Sequence, residues 1–151
     1  MKRTVPTLCA LAFAAAPAFA QGDGPTGDAA AGEQVFNQCQ ACHVVQNDEG
    51  ETLAGRMGRT GPNLFGLNGA QAGTVEDYRY SRSMVEAGEA GLTWTEETFV
   101  DYVQDPTGFL RDYLDDAGAR GKMAFKVRSP EDAADVWAYI VSFSDESEGG
   151  S

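Results

Sequence analysis

Apolar residues recur at helical spacing three times along this chain: at Gly32, Val35, Phe36 and Cys39, at Phe99, Tyr102 and Val103, and at Val136, Trp137, Ile140 and Val141. Each stretch follows a residue able to cap a helix. Asp28 precedes a helix predicted from Ala29, and Thr93 or Thr95 precedes the second, with Glu96 and Glu97 at the positive end of its dipole. Ser129, followed by Pro130 in the first turn and Asp132 three positions on, opens the third, which is predicted to end near Phe143. Two shorter helices are predicted between them. One spans residues 78–87 and ends at Gly88; the other spans residues 107–114, after a stop at Asp105-Pro106. Residues 44–61 hold no period, because Asp48, Glu49, Gly50, Gly55 and Gly58 interrupt it, and they read as a surface loop. With no internal repeat and no alternating run, the predicted fold is all-α.

The first twenty residues stand apart from this pattern. Lys2 and Arg3 precede an apolar stretch, Leu8 to Ala16, that is too short to span a bilayer, and Ala18-Phe19-Ala20 forms a small-residue cleavage site. Residues 1–20 are therefore expected to be a signal peptide, and Cys9 leaves with it. Residues 21–27, rich in Gly, Pro and Asp, are an expected flexible lead, residues 28–143 one domain, and residues 144–151 a disordered acidic tail. Loss of the leader from 151 residues leaves 131, enough for one modest core, and removal of Lys2 and Arg3 takes the formal charge from −12 to −14. A balance this acidic argues against nucleic acid and anionic membranes as general partners.

The candidate chemistry lies in Cys39-Gln40-Ala41-Cys42-His43. Two thiols three positions apart, followed at once by an imidazole, are what covalent haem attachment requires: each sulfur adds to one vinyl group and the histidine reaches the iron. The competing uses fit less well. A redox dithiol needs a βαβ surround that is absent here, and a structural zinc needs four ligands. Once Cys9 is removed the chain has two cysteines and one histidine. A disulfide between such close neighbours gains little loop entropy.

With no second histidine, a sixth iron ligand must come from Met57, Met84 or Met123. Met57 lies in a glycine-rich stretch close behind His43, and Met84 sits in a predicted helix where core filling is the ordinary use. Met123 lies in an aperiodic segment able to bring it in from the far side. Spacing alone leaves all three open. The same segment carries Arg120, Lys122, Lys126 and Arg128 with no acid among them, which reads as a docking face for an acidic partner.

Four motifs in order extend the picture: Asn37-Gln38-Cys39-Gln40-Ala41-Cys42-His43, Thr60-Gly61-Pro62-Asn63-Leu64, Leu92-Thr93-Trp94-Thr95-Glu96-Glu97 and Gly121-Lys122-Met123-Ala124-Phe125-Lys126. From about Gly27 to Phe143 the chain resembles the class I c-type cytochromes, most of all the bacterial cytochrome c2 kind. The resemblance implies a helical fold wrapped around one covalent haem c held by Cys39 and Cys42. It implies that the first and last helices cross where Gly32 and Phe36 meet Val136, Trp137 and Tyr139. It assigns His43 and Met123 as axial ligands, makes the Pro62 carbonyl the acceptor for His43, brings Tyr80 and Trp94 to a haem propionate and places Tyr102 on the Met123 side.

The expected function is that of a soluble, monomeric, periplasmic one-electron carrier and not an enzyme. Its expected partners are a quinol-oxidising membrane complex as donor and a photosynthetic reaction centre or terminal oxidase as acceptor. The alternatives are a haem enzyme or gas-binding protein with a labile sixth position, and a redox-inert haem domain. In two places the chain departs from the pattern: Ala70 stands where many relatives carry an arginine near a propionate, and the loop over residues 44–60, with Arg56 and Arg59, is longer than in short members.

Overall fold

The computed structural model describes residues 24–56 and 60–148. Five helices and one small hairpin follow in the order α1 (Ala29–Cys39), β1 (Val44–Gln46), β2 (Thr52–Gly55), α2 (Arg82–Glu89), α3 (Glu96–Gln104), α4 (Pro106–Leu114) and α5 (Pro130–Glu148). The predicted signal peptide, with Cys9, lies outside the described residues, as do Met57 and Arg59.

The terminal helices make the framework. Asp28 caps α1 by accepting from the Ala30 and Ala31 N–H groups at 2.8 and 3.0 Å. Gly32 then lets α1 lie directly on α5, since a Cβ there would stand 2.0 Å from the Asp135 carbonyl oxygen. One turn on, the buried Phe36 ring meets Tyr139 of α5 at a centroid distance of 5.4 Å. Trp137, buried on α5, packs on Phe99 of α3 at 5.2 Å and so joins the third helix to the crossing. Thr95 caps α3 in a reciprocal box with Thr98, and Asp105 caps α4 while Pro106 takes its first position.

The structure departs from the sequence expectation in four places. Residues 44–61 are not all irregular: β1 and β2 pair antiparallel, Val44 with Gly55, Val45 with Ala54 and Gln46 with Thr52, across a turn in which Gly50 has φ +82°. Each strand sends one side chain inward, Val45 and Ala54, so no alternation is visible in so short a run. Helix α2 begins at Arg82, because Ser81 caps it through the Met84 N–H and Asp77 has a left-handed φ of 61°, which keeps residues 78–80 out of the helix.

The lead is fixed where it joins the domain. Thr26 donates from its N–H (2.9 Å) and its hydroxyl to Glu96, and the Asp28 N–H donates to Asp135 at 2.7 Å. Finally, α5 runs on through Glu148 in place of a disordered tail from residue 144. Nothing between Phe143 and Gly149 breaks a helix, and the Ser144 hydroxyl accepts from the Gly66 N–H at 3.0 Å.

Candidate haem site

A largely apolar cavity of about 280 Å³ opens between these elements. Cys39, Cys42, His43, Pro62, Tyr80, Trp94, Tyr102 and Met123, the eight candidate residues of the sequence, all line it. Lys122 is the one formally charged side chain among the described residues of its wall.

The cysteines sit where α1 ends. The chain curls back there, the N–H groups of Cys42 and His43 both donating to the Cys39 carbonyl at 3.0 Å, and this brings two thiols and an imidazole to one wall. The sulfurs are not joined to each other. Burial, and secondarily the neighbouring Cys42, push the Cys39 thiol up to about 11.

His43 is oriented by the turn that follows β2. Its Nδ1–H donates to the Pro62 carbonyl at 3.0 Å, which fixes the tautomer and leaves the Nε2 lone pair free for a metal. Burial lowers the imidazole pKa more than the Pro62 carbonyl raises it, favouring the neutral, ligating form.

That carbonyl is itself held by a clamp. The Gly61 N–H donates to the Cys42 carbonyl and the Leu64 N–H to the Val44 carbonyl, both at 2.9 Å, so the Gly-Pro-Asn turn lies along β1. The Asn63 side chain completes it, accepting from the Gln46 N–H at 2.9 Å and donating to the Gln46 carbonyl at 2.7 Å. Gly61 leaves no room for any side chain, since a Cβ would stand 2.4 Å from His43 Cε1 and 2.6 Å from Nδ1. Sequence reasoning passed over Gly61 and Asn63 as turn residues. The available signal was the Gly-Pro-Asn tripeptide, but not the ring that lies on it.

Met123 arrives on an irregular segment pinned on both sides. Before it, Arg111 Nε–H donates to the Ala119 carbonyl at 3.2 Å, the Arg120 N–H to the Ser83 hydroxyl at 3.0 Å and the Gly121 N–H to the Thr107 hydroxyl at 3.3 Å. After it, the Val127 N–H donates to the Val103 carbonyl at 2.9 Å, and Lys126 pairs with Asp105, also at 2.9 Å. The hydrogen bond from Lys126, helped by the Gly108 N–H, holds the Asp105 carboxyl below its usual range. Met84, buried on α2, fills the core and touches the same cavity.

The aromatic wall is made by long-range pairing. The Trp94 N–H donates to the Ala70 carbonyl at 2.9 Å and the Gly69 N–H to the Trp94 carbonyl at 2.8 Å, which seats the indole beside Tyr102, 5.1 Å away and edge-on. Burial raises the Tyr102 phenol far above its ordinary value. Tyr80 is pushed up to about 12 by burial, against a hydrogen bond from the Val75 backbone. Both phenols are therefore neutral near pH 7. Ala70 is half-buried at this wall, packs against the core and supplies no charge.

Two unlinked thiols, a neutral imidazole with one free nitrogen and a thioether around an apolar cavity fit a covalently tethered haem. Fold and site together are those of a class I c-type cytochrome. No protein-family model matches the chain, but individual relatives do. It is 58% identical over 117 residues to the cytochrome c2 of Rhodovulum adriaticum, covering 78% of this chain and 93% of that one. It is 54% identical over 142 residues to the cytochrome c2 of Cereibacter sphaeroides, covering 93% and 95%. Among solved structures, cytochrome c2 from Rhodobacter sphaeroides superposes with a TM-score of 0.75 at 54% identity, covering 77% of this chain and 95% of that one. The chain belongs to the cytochrome c2 family, the electron-carrier cytochromes with a single covalent haem c, here held by Cys39 and Cys42.

Proposed function

We propose that His43 Nε2 and the Met123 thioether are the two axial ligands of the haem iron, and that the protein is a soluble periplasmic carrier of one electron and not an enzyme. The observation that carries this reading is the convergence of two candidate ligands, each held in place by its own segment, on one cavity. His43 is locked by Pro62 from one segment, and Met123 stands on another that is anchored on both sides. Haem, when bound, supplies a reversible one-electron couple at iron. The chain's part is to fill both axial positions, exclude water and hold the surroundings still during the change in charge. The Met123 thioether and the apolar walls both disfavour the additional charge of the ferric state and raise the reduction potential. Tyr80 and Trp94 approach a propionate on this reading, while Tyr102 packs on the Met123 side.

The expected donor is a quinol-oxidising membrane complex, and the acceptor a photosynthetic reaction centre or terminal oxidase. The predicted signal peptide supports a periplasmic location, and no described helix is long and apolar enough to cross a membrane. The absorption spectrum of the purified holo-protein tests the reading. Low-spin bands with a weak far-red methionine-to-iron band are expected in the oxidised form, and Met123→Ala abolishes that band and opens the reduced protein to carbon monoxide. A high-spin parent protein that binds carbon monoxide readily would instead be a gas-binding or catalytic haem protein.

A further inference from the structure

The chain holds four asparagines, Asn37, Asn47, Asn63 and Asn68. Three have their side-chain amides engaged. Asn37 donates to the Glu33 carbonyl at 3.3 Å inside α1 and accepts from the Gln40 side chain at 3.0 Å. Asn47 accepts from the Glu51 N–H at 2.8 Å, and Asn63 is clamped to Gln46. Asn68 is free. Its side chain is exposed and makes no hydrogen bond among the described residues, and the residue after it is a glycine. Asn68 and Gly69 form the middle of a turn in which the Ala70 N–H donates to the Leu67 carbonyl at 3.1 Å and Gly69 has φ +77°. A Cβ at Gly69 would meet nothing within 4 Å, so neither a side chain of its own nor a neighbour crowds the glycine.

We infer that Asn68 is a site of spontaneous modification, in which its carboxamide is lost to the backbone nitrogen of Gly69 and the isoaspartate that results unseats Trp94. The Gly69 nitrogen attacks Cγ of Asn68: a C–N bond forms, the bond from Cγ to Nδ2 breaks, and ammonia leaves with the proton of the Gly69 N–H. Water, the only co-reactant, then opens the cyclic imide. Opening at Cγ gives aspartate on the original backbone, and opening at the main-chain carbonyl gives isoaspartate, whose chain is longer by one methylene. The consequence follows from the Gly69 N–H, which donates to the Trp94 carbonyl at 2.8 Å while the Trp94 N–H donates to the Ala70 carbonyl at 2.9 Å; this pair seats the indole at the cavity wall. The nitrogen cannot hold Trp94 and attack Asn68 at once. That bond must open first, so the fold slows the reaction through a local equilibrium without preventing it. Aspartate restores the donor where it was, whereas isoaspartate lengthens the turn between Leu67 and Ala70, and Gly69 and Ala70 no longer meet Trp94 in register.

The experiment incubates the purified holo-protein at mildly alkaline pH beside a synthetic peptide of residues 65–72. Peptide mass spectrometry follows each asparagine, and enzymatic methylation of isoaspartate separates the two products. A gain of one mass unit is expected at Asn68 and at no other asparagine, at a rate about tenfold below that of the peptide, the effect of keeping one hydrogen bond closed. Asn68→Ser, which has no carboxamide, should stay unmodified. The isoaspartyl fraction, isolated by ion exchange, should unfold at a lower urea concentration than the parent, while Asn68→Asp, with the same charge on an ordinary backbone, keeps the parent midpoint. No gain at Asn68 after about ten peptide half-lives, by which time half should be converted at the tenfold lower rate, overturns the site, and so does an equal gain at Asn37, Asn47 or Asn63. An isoaspartyl fraction with the parent midpoint, or an Asn68→Asp protein destabilised as much as that fraction, overturns the link to Trp94.

Discussion

A methyl group at position 61 would stand 2.4 Å from Cε1 of His43, closer than unbonded atoms can approach, so the imidazole and its neighbour cannot both keep their places. The ring is the part that can give, and in swinging away it loses the 3.0 Å bond to the Pro62 carbonyl that sets its tautomer. Gly61→Ala is therefore expected to cost about 1–3 kcal/mol by overpacking, read as a lower urea midpoint of the holo-protein. Weakening of the low-spin spectrum should accompany that loss, whereas an unchanged spectrum and midpoint would mean that the ring can accommodate a neighbouring methyl group without moving off Pro62. At this scale the sequence was legible wherever chemistry is local. The Cys39, Cys42 and His43 triplet declares itself by residue type and spacing, because covalent attachment restricts both. Gly61 and Asn63 did not, because a glycine beneath a ring and an amide clamped to Gln46 look in one dimension like any Gly-Pro-Asn turn.

Among the elements, the crossing of α1 and α5 depends on a residue that intrinsic propensity disfavours. Glycine inside a helix is about 1 kcal/mol worse than alanine, so Gly32→Ala should stabilise α1 if the helix stood alone. In the fold, the new Cβ would lie 2.0 Å from the Asp135 carbonyl oxygen and 2.9 Å from Tyr139 Cβ, and rigid backbone cannot yield as a side chain can. The two helices would have to separate, pulling Phe36 from Tyr139. Gly32→Ala is thus expected to lower stability by roughly 2–3 kcal/mol against its propensity, while Gln34→Ala on the exposed face leaves it nearly unchanged; a stabilised Gly32→Ala protein in chemical denaturation would refute the close crossing. Three helices were legible through their caps, Asp28, one of the pair Thr93 and Thr95, and Ser129 with Pro130, because capping is satisfied within a few residues; Asp105-Pro106 reads in sequence as the stop of α3 and in the structure caps α4 as well. The hairpin was not, since strands of three and four residues, each with one inward position, give no period to read. Nor was the start of α2: Tyr78 and Tyr80 are aromatic because they line a cavity, and a cavity wall built by one segment imitates the apolar face of a helix.

For the molecule as a whole, 23 acids against 11 bases set a field that repels acidic partners, and the cations between Arg120 and Arg128 oppose it locally. The structure divides those four cations into two kinds. Lys126 is paired with Asp105, and Lys122 is turned onto the Arg79 carbonyl, so half of the positive charge is committed within the molecule. The Arg120 and Arg128 side chains are exposed and make no ion pair among the described residues, which leaves their charge available to solvent. Steering toward an acidic redox partner should therefore depend on these two arginines more than on the lysines. In Arg120→Glu/Arg128→Glu, the second-order rate of electron transfer to an acidic partner at low ionic strength is expected to fall on the order of tenfold and to lose most of its salt dependence, with the spectrum and urea midpoint of the parent. Lys126→Glu would instead place an acid against Asp105 and loosen the anchor behind Met123, so its rate and its far-red band should change together. Stopped-flow measurement across a salt series separates the two. Equal effects of both substitutions on rate, with the far-red band intact, would mean that the pair with Asp105 does not withdraw Lys126 from the encounter.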